Sequence, residues 1–567
     1  MSNALLDNVD LWTGAVKARS TAGRGSNRKI ELVGVKKLRE LILELAVRGK
    51  LVPQDDSDEP ASELLKRIEA EKAQLIADSQ IEKQKPFDLP SGWSFVAMGN
   101  ICEIERGGSP RPIKDYITDD PNGLNWIKIS DTDKGGKYIN STAEKIRPEG
   151  LHKTRKVYAG DFLLTNSMSF GRPYISNIEG CIHDGWLRIH PPKILDKDYL
   201  YIFLSSPFVS RFFTNAASGA VVQNLNSEKV RQLPILIPPL AEQQRIVAKV
   251  DELMQLCDQL EQHTDQQHAA HQQLVETLLN ALTQASSAAD LAEQWQRIAT
   301  HFDELFVGAI GEWAVDRLKD SILQLAVMGK LVPQDPTDEP ASELLKHIEA
   351  EKAQLIRDGK IKKQKPLPPV GEDEKPFELP DGWEWVRFGQ TIIFESELVS
   401  PDDFQNSDQV APDSIEKGTG KLLFRRTVQE SGVRGPNNRF YKGQILYSKI
   451  RPSLSKAVIA DFDGLCSADM YPLNPLGNSN SFILKTILSN YFLKQVLREE
   501  NRIKMPKLNI VTLSDFVITI PPLVEQYRIV DKVDQLFVLC DQLKARIHTA
   551  NQLQLQLTDT LIEQTLA

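Results

Sequence analysis

Cysteine is scarce in this chain: five residues in 567, scattered, with no CxxC and no Cys/His cluster. That pattern fits a reducing cytoplasm and speaks against a disulfide framework or a structural zinc site. Long apolar runs are lacking too. The most apolar short run, Leu233–Leu240 (LPILIPPL), carries three prolines and is far too short for a bilayer. No segment has the layout of a secretory signal. The GxxxxGK[ST] loop of nucleotide-hydrolysing motors is absent, and no Gly-rich turn is placed to hold a dinucleotide or methyl donor. An excess of positive charge is missing as well. Lys and Arg number 68 against 77 Asp and Glu, a net of −9 that taken alone argues against a nucleic-acid partner.

What the chain has instead is repetition. Leu38–Ile76 and Leu318–Ile356 match at 31 of 39 positions, and Ile237–Leu260 and Ile520–Leu543 match at 18 of 24. About 150 residues separate the paired segments in each half, and those stretches differ. Each half is a near-constant frame around a variable insert. Two similar halves favour a pseudo-two-fold arrangement that holds two copies of one partner while presenting two different surfaces.

Local patterns divide the chain further. Residues 1–37 read as an N-terminal extension, with a weak echo of its LWTGAV (Leu11–Val16) in LFVGAI (Leu305–Ile310). Residues 38–85 form helical repeat 1. Its first helix ends at Gly49, and a second spans Pro60–Ile76. Residues 86–237 form the first insert, 238–285 a long helix, 286–317 a central helical linker and 318–375 helical repeat 2. Residues 376–520 form the second insert, and 521–567 the second long helix. The inserts read as α/β (α+β), with many short strands between Gly, Pro and Asn, and with helices over Asp198–Phe213 and Ser481–Glu500. After each Pro-Pro comes a heptad seam. It runs through Ile246, Val250, Leu253, Cys257 and Leu260 in the first half, and through Ile529, Val533, Leu536, Cys540 and Leu543 in the second. Continued to Ala281 and Gln564, it makes helices of roughly 55–65 Å. His263, His268 and His271 on the first of them read as polar surface and seam rather than metal ligands.

Charge is distributed unevenly. The inserts are near balance, 18 basic to 16 acidic residues in Pro86–Leu236 and 17 to 17 in Pro376–Thr519, so the acidity lies in the frame. Within the second insert, Lys421–Ala460 carries nine basic residues and one acidic residue, Glu430. Local basic patches bind phosphate on an acidic chain. The first insert has a matching run, Lys145–Ile178, with Lys145, Arg147, Lys153, Arg155, Lys156 and Arg172 against Glu149 and Asp161. A lone basic run is usually a solvated face, and two at corresponding places weaken that reading. Pro-Pro occurs in IPPL, not in the Asn/Asp-Pro-Pro-aromatic motif that grips a flipped adenine in amino-methyltransferases. The chain reads as one that binds and positions.

The repeated IPPLAEQQRIV and IPPLVEQYRIV, with LAVRGKLVPQ and LAVMGKLVPQ, resemble the specificity (S) subunit of type I restriction–modification enzymes. The insert motifs ERGGSPRP, WIKISD, GDFLLTNSMSFGRP, QNLNSEKV, GQILYSKIRPSLSKA, GLCSADMYPL and MPKLN add to it. The resemblance implies two target-recognition domains, each reading half of a bipartite, asymmetric site in double-stranded DNA. It implies two antiparallel coiled-coil spacer helices that dock two methyltransferase (M) subunits. Those subunits carry S-adenosylmethionine and methylate adenine N6 on an extruded base. Two restriction (R) subunits using ATP and Mg can join that core. No cofactor is expected on this chain itself. The alternative is a duplicated coiled-coil scaffold whose inserts bind proteins or other ligands.

Loop position and side-chain chemistry select candidate DNA-binding residues. In the first insert they are Ser109, Arg111, Lys128, Ser130, Asn166, Ser167, Ser169, Arg172, Asn224 and Asn226. In the second they are Arg425, Arg426, Arg434, Arg439, Ser448, Lys449, Arg451, Lys456, Lys507 and Asn509. Arg grips guanine and Asn grips adenine, but most basic contacts go to phosphate. Asn226 and Asn509, in matching Leu-Asn pairs, are equally suited to forming turns.

Overall fold

The computed structural model describes residues 7–18, 30–72, 88–133, 135–166, 171–193, 195–217, 225–363, 365–500 and 508–567. Four helices build the frame: α1 (Val33–Val47), α2 (Leu240–Gln284), α3 (Gly311–Val327) and α4 (Leu523–Leu566). Helix α1 begins inside the stretch read as an extension. There, Val9–Gly14 is already helical and Trp12 is fully buried. Lys17–Ala18 pairs antiparallel with Ile30–Glu31. The segment echoing LWTGAV also buries apolar side chains, at Leu305, Phe306 and Ile310. Gly49 and Gly329 follow α1 and α3 at φ 67° and 70°. A Cβ there would sit 2.4 and 2.5 Å from Pro90 and Pro380, so only glycine serves both the turn and the packing.

Each insert leaves the frame through a two-stranded ribbon. Ser94–Ala97 pairs with Pro234–Ile237, and Glu384–Arg387 pairs with Val517–Ile520. Beyond it the first insert has a five-stranded sheet in the order Glu103–Arg106, Trp186–His190, Phe162–Thr165, Pro173–Ser176, Tyr138–Ile139. The second has the same first four positions: Ile392–Phe394, Met470–Pro475, Ile445–Ser448, Ala457–Ile459. In both, the third and fourth strands form a hairpin, with Phe162 opposite Ile175 and Ile445 opposite Ile459. A second mixed sheet lies in each insert. The single insert helices expected from sequence are each two: Lys197–Ser205 with Pro207–Ala217, and Asn480–Leu488 with Asn490–Glu500. Serine makes the break. Ser206 and Ser489 donate their hydroxyls to the carbonyls of Phe203 and Thr486, and accept the N–H of Val209 and Phe492.

Contacts divide the chain into two compact units, residues 1–267 with 551–567, and residues 268–550. The eight segments drawn from sequence are therefore regrouped, because each long helix belongs to both units. In the first unit, Arg39 of α1 binds Asp258 and Glu261 of α2, while Gln54, just past α1, reaches back to Glu242. Helix α1 thus runs against α2. Its Lys37 meets Asp559 of α4, and Lys50 donates to the Leu566 carbonyl, so it runs with the end of α4. The two long helices are therefore antiparallel. The second unit repeats this with Lys319–Asp541, Gln334–Glu525 and Lys330–Ala285.

The seam holds where it starts. Ile246, Val250, Leu253, Cys257, Ile529, Val533 and Cys540 are buried, each fully buried aliphatic worth roughly 1.5–3 kcal/mol. Leu260, Leu536 and Leu543 are only partly covered. Beyond Thr264 and Ile547 the buried stripe slips by one residue in both helices. It continues through Val275, Leu279 and Leu282, and through Thr558, while Leu274 and Leu557 lie exposed. A strict seven-residue count overlooks this drift of a straight helix, which gains about 20° per heptad. The slip falls where each helix passes from one compact unit to the other.

Candidate nucleic-acid interface

In the first insert, four loops meet at one edge of the main sheet. The turn His183-Asp184-Gly185, between Gly180–Ile182 and Trp186–His190, is their centre. Ser109 donates its hydroxyl to the Asp184 carboxylate at 2.7 Å, and Arg111 lies 3.7 Å from it with most of its side chain in solvent. Asn166 donates its amide to the Asp184 carbonyl at 2.6 Å. Ile129, of the WIKISD loop, points its N–H at the His183 ring from 3.3 Å. The Ser109 hydroxyl chiefly, helped by the charges of His183 and Arg111, holds the Asp184 carboxyl below its ordinary range. The two glycines of ERGG permit this convergence. A Cβ on Gly107 would lie 2.1 Å from the His183 carbonyl oxygen, and one on Gly108 would lie 2.5 Å from that of Lys153.

The hairpin loop after Phe162–Thr165 starts at Asn166 and returns at Arg172, whose guanidinium lies 5.4 Å from the Tyr174 ring centre. Lys128 is tied to Glu144 at 2.7 Å, and Ser130 is exposed. In the second insert the equivalent hairpin loop starts at Lys449, whose ammonium lies 5.1 Å from the Tyr471 ring. Its backbone N–H donates to the Asp469 carbonyl at 3.0 Å, as that of Asn166 does to Gly185. Arg451 is exposed and left-handed at φ 45°. Lys456 closes the loop by donating to the Pro412 carbonyl. The same backbone bond locks both hairpins: Leu225 N–H to the Asn166 carbonyl, and Leu508 N–H to the Lys449 carbonyl, each 3.0 Å.

The remaining candidates sort by partner. Arg425 binds Asp461 at 2.6 Å and lies 4.0 Å from the Phe462 ring; Arg426 grips Asp413 through two bonds of 2.9 Å. Arg439 lies on the second sheet, 3.7 Å from Glu397 and beside Phe404 and Tyr441. Arg434 is exposed with no partner among the described residues. Four candidates are corrected from reading to holding. Asn166 and Ser448 are each 1% exposed and bonded to loop carbonyls. Asn226 and Asn509 cap the short helices Ser227–Arg231 and Ile510–Asp515 through Lys229 and Thr512 N–H. Ser167, Ser169, Asn224 and Lys507 lie outside the described residues. The organising residues that sequence reasoning missed are His183, Asp184, Tyr174, Asp469 and Tyr471. For His183, Asp184 and Asp469 the signal was available as short HDG and SAD turns between two strands.

The folded chain is thus a duplicated recognition protein, two mixed domains carried on paired long helices. The family profile described as the type I restriction modification DNA specificity domain matches residues 90–267 and 413–552. The Escherichia coli type I restriction enzyme EcoAI specificity subunit is 38% identical over 99% of this chain and 98% of its own. The EcoEI specificity subunit, also from Escherichia coli, is 37% identical over the same shares. The HsdS subunit from Thermoanaerobacter tengcongensis aligns with 85% of this chain and 98% of its own, at 16% identity and a TM-score of 0.38. The chain belongs to the type I restriction–modification DNA specificity family. As a DNA specificity subunit it is the non-catalytic component of such a system. No helix among the described residues is long and apolar enough to cross a membrane.

Proposed function

We propose that each insert reads one half of a bipartite, asymmetric duplex site. The observation that carries this is a pair of hairpin loops at one place on one scaffold, locked by the same bond but with different chemistry. Past the inward-turned Asn166 the first loop returns at Arg172, while the second carries Lys449 and the exposed Arg451. A constant fold with variable edge loops is how base readout diversifies without refolding. The near-identical frame segments give two copies of one partner equivalent surfaces. They support docking of two methyltransferase subunits that carry S-adenosylmethionine and methylate adenine N6. Two restriction subunits, with ATP and Mg, would be directed through the same assembly in the cytoplasm.

Exchange of residues 376–519 for the corresponding insert of a relative tests the reading. Mapping methylated adenines should show one half of the site changed, with the other half and the gap intact. If both halves change, or neither does, the inserts are not independent readers.

A further inference from the structure

We propose that the Glu-Gln pair opening each long helix, Glu242–Gln243 and Glu525–Gln526, fixes how each recognition domain leaves the frame, and so sets which gap between half-sites is accepted. This rests on the reading of one half-site per insert. All four side chains are 1% exposed or less. The Glu242 carboxylate accepts the Trp93 indole N–H at 2.9 Å and the Gln54 amide at 2.8 Å. It thereby ties the Gly-Trp turn to the loop after α1. Gln243 faces the other way. Its carbonyl accepts the Asp196 N–H at 3.1 Å, and its amide donates to the Pro238 carbonyl at 3.0 Å. Asp196 is the N-cap of the insert helix Lys197–Ser205. One dipeptide therefore holds the frame with one side chain and the recognition domain with the next.

The second half repeats this nearly bond for bond. Glu525 accepts from Trp383 at 3.1 Å and Gln334 at 3.2 Å. Gln526 accepts the Ser479 N–H at 2.9 Å and donates to Asn478 and the Pro521 carbonyl. Ser479 is again an N-cap, of Asn480–Leu488. A turn later Arg245–Asp58 and Arg528–Asp338 close each joint at 2.5 Å. The residues held differ, Asp196 in one half and Ser479 in the other, yet the geometry is kept. A buried carboxylate bonded to neutral donors is a poor device for stability alone, because its desolvation offsets much of the gain. Directional bonds, unlike apolar contact, fix an angle. DNA of the wrong gap must turn a recognition domain on its helix, which strains these bonds. The joint thus discriminates by making the wrong complex worse.

The test uses the assembled methyltransferase complex and a DNA library with constant half-sites and a gap varied one base pair at a time. Trp93→Phe with Trp383→Phe removes one donor per joint and keeps the ring; Glu242→Gln with Glu525→Gln removes the charge. Methylation at gaps one base pair off should rise about tenfold relative to the native gap, with the bases read unchanged. Arg67→Ala, at the exposed Arg67–Glu59 pair, should leave the gap preference sharp. A native gap preference in the assembled Trp→Phe variant, altered half-site bases, or failure of that variant to assemble each overturns the proposal. A native complex that methylates no bipartite site sinks the half-site reading instead.

Discussion

The hairpin loop of the first recognition domain starts at Asn166, and that of the second at Lys449. Both residues donate a backbone N–H to the turn between the neighbouring strands, and both accept one from the leucine before the closing helix. The side chains then part company. Asn166 turns inward to the Asp184 carbonyl; Lys449 stays half-exposed over Tyr471. The backbone of such a loop is part of the scaffold, while its side chains are free to change. The comparison also separates cations by availability. In the second insert Arg425 and Arg426 already face Asp461 and Asp413, so their charge is largely neutralised at home. Lys449, Arg451 and Arg434 have no carboxylate partner among the described residues.

The halves also differ at the neck. The ribbon ends in Ala97 in the first half and in Arg387 in the second. Arg387 is 5% exposed. It makes two bonds to Glu374, at 2.8 and 2.6 Å, and others to the carbonyls of Pro368, Pro369 and Asp515. It straps the stretch 368–374, which precedes the insert, to the insert itself. Its bonds are the main reason that the Glu374 carboxyl is held below its ordinary range. Arg387→Ala should therefore destabilise the second unit by about 2–3 kcal/mol, a figure kept low because Glu374 is partly solvated. Denaturant unfolding followed by limited proteolysis should show early cleavage near residues 365–376. Unchanged stability with that stretch still protected would mean the strap is idle. Ala97→Gly, its counterpart, should have a much smaller effect.

A smaller effect tests the sorting of cations. Replacing Lys449 and Arg451 by Gln should weaken DNA binding by the assembled complex about tenfold or more, and lower the salt slope by about one unit per lost phosphate contact. Replacing Arg425 and Arg426 should do less, because each already faces an aspartate. Equal losses in the two variants would show that home pairing does not govern availability.

Much of this was legible from sequence, and the misses share one cause. The duplication, the frame helices, the inserts and the start of the seam follow from identity, Gly/Pro punctuation and apolar spacing. Those signals are local. The slip of the buried stripe after Thr264 and Ile547 was missed because a strict seven-residue repeat was carried to the helix ends, whereas a straight helix drifts off that repeat by about 20° per heptad. The broken insert helices at Ser206 and Ser489 were missed because a serine inside an apolar pattern shows its cap only once its hydroxyl has a partner. The same holds for the site. Basic and amide residues in loops were easy to nominate, but only tertiary contacts separate Arg451 from Arg426, or a buried Asn166 from a half-exposed Arg172.

The smallest expected effect distinguishes the two central turns. In the first, Gly185 donates its N–H to the His183 ring nitrogen Nδ1 at 2.8 Å. In the second, Asp469 donates its N–H to the Ser467 hydroxyl at 3.2 Å. The bond is equivalent, but only the histidine titrates. His183 lies beside Trp126 and Trp186, and a neutral imidazole with Nδ1 accepting from Gly185 carries its own proton on Nε2. Burial is the main reason its pKa lies below the usual 6.5; Lys128 acts the same way, while Asp184 and Asp131 oppose. A histidine with a lowered folded pKa stabilises the fold fully above pH 6.5. That contribution is lost as pH falls through the lower folded value, because the unfolded state then binds the proton more readily. Protonation replaces the acceptor at Nδ1 with a donor facing the Gly185 N–H, loosening the turn that holds Ser109, Asn166 and the WIKISD loop. Loss of one such bond is worth about 1 kcal/mol, or about fivefold in affinity. Binding to DNA carrying only the first half-site should hold constant above pH 6.5 and weaken by that factor as pH is lowered below 6.5 through the depressed folded pKa of His183. DNA carrying only the second half-site should change little. His183→Gln retains an acceptor without a titration and should flatten the first curve. If the variant keeps the native pH dependence, the turn is not the titrating element.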